Sequence, residues 1–112
     1  LPELKTISMV EVALDSENNL MNITFTGFLD VSKIETLYGE LLGSRITKDN
    51  VMIIIREVDN IDLSFLQLLH AFLLKLKRDN KTFSFQWDVD PEYFKLVEES
   101  GFIADFNKIS NK

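Results

Sequence analysis

The sequence predicts an α/β domain: a single-domain mixed, largely parallel sheet of four to five strands with helices packed on it, spanning residues 1–112. Three observations predict this. After the first turn, strand-like and helix-like stretches alternate, the order that winds a largely parallel sheet. Val51-Met52-Ile53-Ile54-Ile55 is an unbroken apolar run with β-branched bias, the pattern of a central strand buried on both faces. Asn60 to Arg78 starts polar and becomes a helix with one broad apolar face.

Each element has its own signal. Ile7 to Leu14 alternates loosely and runs into Asp15-Ser16-Glu17-Asn18-Asn19, a strand followed by a hairpin-like turn. Leu20 to Thr26 alternates clearly: Met21, Ile23 and Phe25 point one way, and Leu20, Asn22, Thr24 and Thr26 the other. Gly27 is expected to break that strand. A first helix is expected from Val31, with Ser32 and Glu35 as a capping box. Ile34, Leu37, Tyr38, Leu41 and Leu42 recur at helical spacing, and Gly43 is the expected stop. Glu57 to Asp62 reads as the loop into the second helix.

In that second helix Ser64 and Gln67 form another expected capping box, with Asp62 adding charge beside the helix end. At about 100° per residue, Phe65, Leu66, Leu69, Phe72, Leu73 and Leu76 share one face. Ser64, Gln67, His70, Ala71, Lys75, Lys77 and Arg78 share the other, and Leu74 falls among them as an exposed leucine. Thr82 to Trp87 alternates strictly, with Phe83, Phe85 and Trp87 on one face of a less covered strand. Asp90-Pro91 starts a short helix through a capping aspartate and a proline in its first position. Tyr93, Phe94 and Val97 are its apolar contacts, Gly101 closes it, and Phe102 makes the contact that follows such a cap. Residues 103–109 add a last turn or short helix, and 110–112 a frayed tail.

Composition narrows the function classes. A chain of 112 residues that is 46% hydrophobic, with nine phenylalanines, can bury a real core. The absence of cysteine excludes disulfides, thiolate catalysis and cysteine–zinc sites, and agrees with a reducing compartment. No apolar run reaches the roughly 18 residues that a spanning helix needs. No charged-then-apolar leader opens the sequence, so a cytoplasmic location is expected and the sequons at Asn22 and Asn80 are read as chance. The first residue, Leu1, leaves open a trimmed start or a piece of a longer protein. Net charge of −6 argues against nucleic acid as a partner, since phosphate binders carry basic patches. The basic cluster Lys75, Lys77, Arg78 and Lys81 lies at a helix end, where it complements the dipole.

The catalytic inventory is short. His70 is the only histidine and has no sequence-local carboxylate or second histidine as partner. The four glycines are isolated, so no phosphate-cradling loop is present, and no cofactor or metal ligand set is expected. Asp30, Asp59 and Asp62 are the carboxylates that folding could bring together for acid–base work, although each also suits a turn or a helix start. Ser64 has two readings, a helix cap and a phosphoacceptor, because phosphate is favoured at a helix N-terminus.

Phe25-Thr26-Gly27-Phe28-Leu29-Asp30, the Val51–Ile55 run, Asp62-Leu63-Ser64-Phe65-Leu66-Gln67-Leu68-Leu69, the Pro91 helix and Gly101-Phe102 together resemble the STAS domain family. That family includes bacterial anti-sigma-factor antagonists, the cytoplasmic tails of sulfate transporters, and a small subunit of a lipid-transport ABC complex. The resemblance implies a non-enzymatic protein–protein interaction module of bacterial signalling. Its partner would be an anti-sigma factor of serine-kinase type or another signalling protein, bound without membrane insertion. Partner contacts are expected at Asp30, Asp62, Leu63, Ser64 and Gln67, and at Ala71 and Leu74, where the exposed leucine reads either as an ordinary surface residue or, with Leu68 nearby, as part of a contact patch. The usual phosphoacceptor of the family directly follows the aspartate, where this chain has Leu63, and Phe65 replaces the usual glycine two places later. Ser64 is the neighbouring candidate acceptor. The alternative implied by the same resemblance is a STAS subunit that binds the ATPase of a lipid transporter.

Overall fold

Phe25 and Phe65 meet edge-to-face with ring centroids 5.3 Å apart, and the sheet and its longest helix are joined around that contact. The computed structural model describes residues 9–105. Strands β1 (Val10–Asp15) and β2 (Leu20–Leu29) lead to helix α1 (Ile34–Gly43). Strand β3 (Asn50–Ile61), helix α2 (Leu63–Arg78), strand β4 (Thr82–Asp88) and helix α3 (Pro91–Glu99) follow. The strands lie in the order β1-β2-β3-β4. The first pair is antiparallel and the next two are parallel, so the fold is the mixed, mostly parallel α/β sheet that the alternation predicts. Strand β1 begins at Val10, while Ile7 lies outside the described residues.

The hairpin turn between β1 and β2 is a one-turn 3-10 segment, Ser16–Asn18. Asp15 caps it, accepting from the Asn18 amide at 3.3 Å, and Asn19 closes it in the left-handed region. The core lies between the sheet and the helices. Met21, Ile23 and Phe25 from β2 and Val51, Ile53 and Ile55 from β3 are buried, as their alternation requires. All six residues on the predicted apolar face of α2 are buried with them. Leu37 and Leu41 of α1 and Val97 of α3 join the same cluster, so the three helices pack on one face of the sheet.

That one-sided arrangement corrects the expectation for β3. Val51, Ile53 and Ile55 are buried, but Met52 and Ile54 on the opposite face are only half-buried. The run is apolar throughout although, among the described residues, the helices cover only one face of the sheet. In α1, Tyr38 and Leu42 belong to the predicted stripe yet are exposed, because the helix seats on Leu37 and Leu41.

The strands also run further than their composition indicates. Gly27 does not end β2, and Glu57 to Ile61 is not a loop but the end of β3. From Phe25 to Leu29 the chain of β2 pairs with Ile55 to Ile61 of β3, so β3 carries additional residues through an irregular register. Gly27 (φ +91°) and Glu57 (φ +51°) supply the left-handed conformations at this bulge. A Cβ on Gly27 would meet nothing closer than Met9 Cγ at 3.8 Å, so backbone conformation rather than space selects glycine. Glu57, Asp59 and Asn60 make this stretch resemble a turn locally, but main-chain pairing with β2 holds it as strand.

The last elements follow the sequence closely. Phe83, Phe85 and Trp87 of β4 are half-buried on the helix side, and Trp87 meets Phe94 of α3 at 5.9 Å. Pro91 occupies the first position of α3, and the Asp90 carbonyl accepts from the Tyr93 and Phe94 amides at 3.0 and 3.1 Å. The Asp90 side chain makes no capping bond, so the cap is provided by the main chain. Gly101 (φ +83°) ends the segment and Phe102 is buried behind it. Residues 102–105 form a helical turn, whereas 106–109 and the tail lie outside the described residues.

Candidate functional site

The parallel pairing of Leu29 with Ile61 brings two chain segments of the same form side by side. Leu29-Asp30-Val31-Ser32 leaves β2, and Ile61-Asp62-Leu63-Ser64 leaves β3. Each aspartate is extended and each starts a helical turn, Val31–Lys33 ahead of α1 and Leu63 onward in α2. Such strand ends are where open α/β sheets place their sites.

The two aspartates, not the serines, are the caps. Asp30 Oδ1 accepts from the Ser32 amide at 3.0 Å and from Ser32 Oγ at 2.5 Å, while Asp30 Oδ2 accepts from Asn60 Nδ2 at 2.8 Å. Asp62 Oδ1 accepts from the Ser64 amide at 2.9 Å, Ser64 Oγ at 2.5 Å and the Phe65 amide at 3.4 Å. Both expected serine capping boxes are thereby corrected. A carboxylate two residues earlier accepts the free amides, and each serine hydroxyl becomes a donor to it. The α-helix of the first segment starts at Ile34, after a 3-10 turn, rather than at Val31.

Asp62 also joins the two segments. Its Oδ2 accepts from the Val31 amide at 3.0 Å, and its own amide donates to the Leu29 carbonyl at 3.2 Å. The hydroxyl of Ser32, the Asn60 amide group and the Ser32 amide hold Asp30 below the ordinary carboxylate range, against a smaller penalty from burial. For Asp62, burial pushes upward most strongly of any single cause. The hydrogen bonds from Ser64 Oγ and from the Val31, Phe65 and Ser64 amides together outweigh it, and its pKa is lowered.

This arrangement suits holding shape better than proton transfer, since both carboxylates are ionised and occupied by donors. Asp59 does not join them through its carboxylate. It lies in β3, exposed, and its carbonyl accepts from Tyr93 Oη at 2.8 Å. Among the described residues no three His, Asp or Glu side chains converge on a metal-sized site. His70 lies apart, half-buried, edge-on to Phe102 at 6.4 Å, beside a cavity of about 220 Å³ that Gln67, Ser100 and Asp105 also line.

The named contact residues therefore divide. Asp30 is buried, and Asp62 and Ser64 are half-buried in the caps. Leu63 (52% exposed), Gln67, Ala71 and Leu74 (47%) stand on the outer side of α2. Two exposed apolar residues at the same strand ends escaped the sequence reading: Phe28 (48%) and Val31 (68%). Asn60 was also missed as the partner of Asp30. The repeated apolar-Asp-apolar-Ser form marks the two strand ends in the sequence, but it does not show which neighbours meet there. Among the described residues no helix is long and apolar enough to cross a membrane. No family model matches the chain, and no curated protein matches it.

Proposed function

We propose that the protein is a STAS-like interaction module of bacterial signalling, a cytoplasmic and non-enzymatic domain that docks a kinase-type protein partner. The docking surface is the end of the sheet where β2 and β3 finish, continued along the outer side of α2. The observation that supports this reading best is the exposure of Phe28, Val31 and Leu63 around the two capped strand ends. Exposed apolar side chains on a frame fixed by hydrogen bonds provide contact area at little ordering cost. Gln67, Ala71 and Leu74 extend the surface along α2.

A phosphate switch at the family's usual position is unavailable to this chain because Leu63 has no hydroxyl. Ser64 is the neighbouring hydroxyl, and it donates to Asp62. A phosphate there would break that bond and set two like-charged groups against each other at the helix start. The domain docks its partner without phosphorylation.

Affinity capture from native cytosol, with mass spectrometry of bait and partner, tests the reading. Recovery of a histidine-kinase-type ATPase supports it, and phosphate on Ser64 would show a switch with a shifted acceptor. Co-purification of a transporter ATPase with its permease would instead make the chain a lipid-transporter subunit. Saturable nucleotide hydrolysis by the isolated chain would overturn a non-enzymatic role.

A further inference from the structure

Helices α1 and α2 both return from parallel strands, so they run side by side in the same sense. Between them opens a cleft of about 320 Å³. Its floor is apolar, with Leu41 and Phe72 buried and Ile46 and Leu68 half-buried. Tyr38 and Leu42, both largely exposed, stand at its mouth. Lys75 and Arg78, from the last turn of α2, are its charged lining residues, and no carboxylate is among the described lining. This is a cationic end on an apolar cleft in a chain whose net charge is −6.

We propose that this cleft binds a single-chain fatty carboxylate, with its chain over Leu41 and Phe72 and its head group against Lys75 and Arg78. The charge lies at one end only, which matches a ligand with a head and a tail. The volume falls in the lower part of the roughly 300–1,000 Å³ range of small-molecule sites. A docked amphipathic helix would instead need anchors spread over successive turns. Lys75 is already within 3.9 Å of Asp79, but this pair is exposed, and such pairs are weak enough for a ligand carboxylate to displace. Arg78 offers a planar fork that suits a carboxylate. The cleft shares Ala71 with the outer side of α2, but Phe28, Val31 and Leu63 at the strand ends do not line it.

Calorimetric titration of the full chain with decanoate tests it, using decyltrimethylammonium as the ligand of opposite head charge and phosphatidylglycerol vesicles as the membrane control. The expected result is one decanoate bound per chain and no comparable binding of the cationic amphiphile. The double variant Lys75→Glu/Arg78→Glu should weaken decanoate binding by about tenfold or more. The milder pair Lys75→Gln/Arg78→Gln should act in the same direction if charge reversal disturbs the helix end. Thermal melts of the variants show whether folding is retained. Absence of decanoate binding overturns the proposal, as do equal binding of the cationic amphiphile, unchanged affinity in the folded variants, or binding to vesicles in place of the monomeric carboxylate.

Discussion

Asp62 Oδ2 accepts the Val31 amide at 3.0 Å, so the cap of one helix also holds the chain leading into the other. The same carboxylate receives the Ser64 amide, Ser64 Oγ and the Phe65 amide. Two strand ends that pair in parallel are thereby locked into one frame, and Leu63 and Val31 are displayed from it. Asp62→Ala should destabilise the protein by roughly 1–3 kcal/mol, because it leaves several amides without their acceptor. Urea unfolding would measure this. A loss within experimental error would mean that the cap is not structurally important.

Acid should weaken the same frame. Asp30 and Asp62 both have lowered folded-state pKa values, so each stabilises the fold fully above its unfolded value, about 3.9. As the pH falls below that value, the unfolded chain takes up protons before the folded one, and the stabilisation is lost through the folded pKa of each group. The expected outcome is a steep decline in stability below about pH 4 that is shallower in Asp30→Asn and Asp62→Asn. Equal slopes in wild type and both variants would assign the acid sensitivity to other carboxylates.

The bulge makes a separate prediction. Gly27→Ala should cost about 1–2 kcal/mol, although the space beside Gly27 is open, because alanine resists the positive φ found there. Chemical denaturation at constant m-value reads the loss, and an unchanged midpoint would show that the backbone relaxes at no cost.

Side-chain periodicity made most of the fold legible in the sequence. The buried face of α2 and the alternation of β2 and β4 follow directly from residue spacing. What periodicity could not carry were features set by pairing between distant segments. Glu57 to Ile61 looks like a loop until Gly27 to Leu29 is laid beside it. Ser32 and Ser64 look like caps because local spacing cannot show that the preceding aspartates turn inward to accept their hydroxyls. The burial of Asp30 has the same origin, because Asn60 arrives from another strand. At the candidate site, Gln67, Ala71 and Leu74 were legible from helical phase, while Phe28 and Val31 required the sheet to be assembled.

The geometry of the caps also decides which variants can probe docking. Ser64→Asp would set a carboxylate beside Asp62, so it should lower stability and confound any change in binding. Leu63→Asp and Leu74→Asp alter exposed positions and should leave the fold intact.

The most direct measurement is therefore the affinity of the captured and purified partner for wild type, Leu63→Asp and Leu74→Asp, with the melting temperature of each variant measured in parallel. Docking through the strand ends and the outer side of α2 predicts that binding falls by about tenfold or more at Leu63 while melting is nearly unchanged, with a smaller loss at Leu74. Unchanged affinity in both folded variants would contradict it and place the partner on another face.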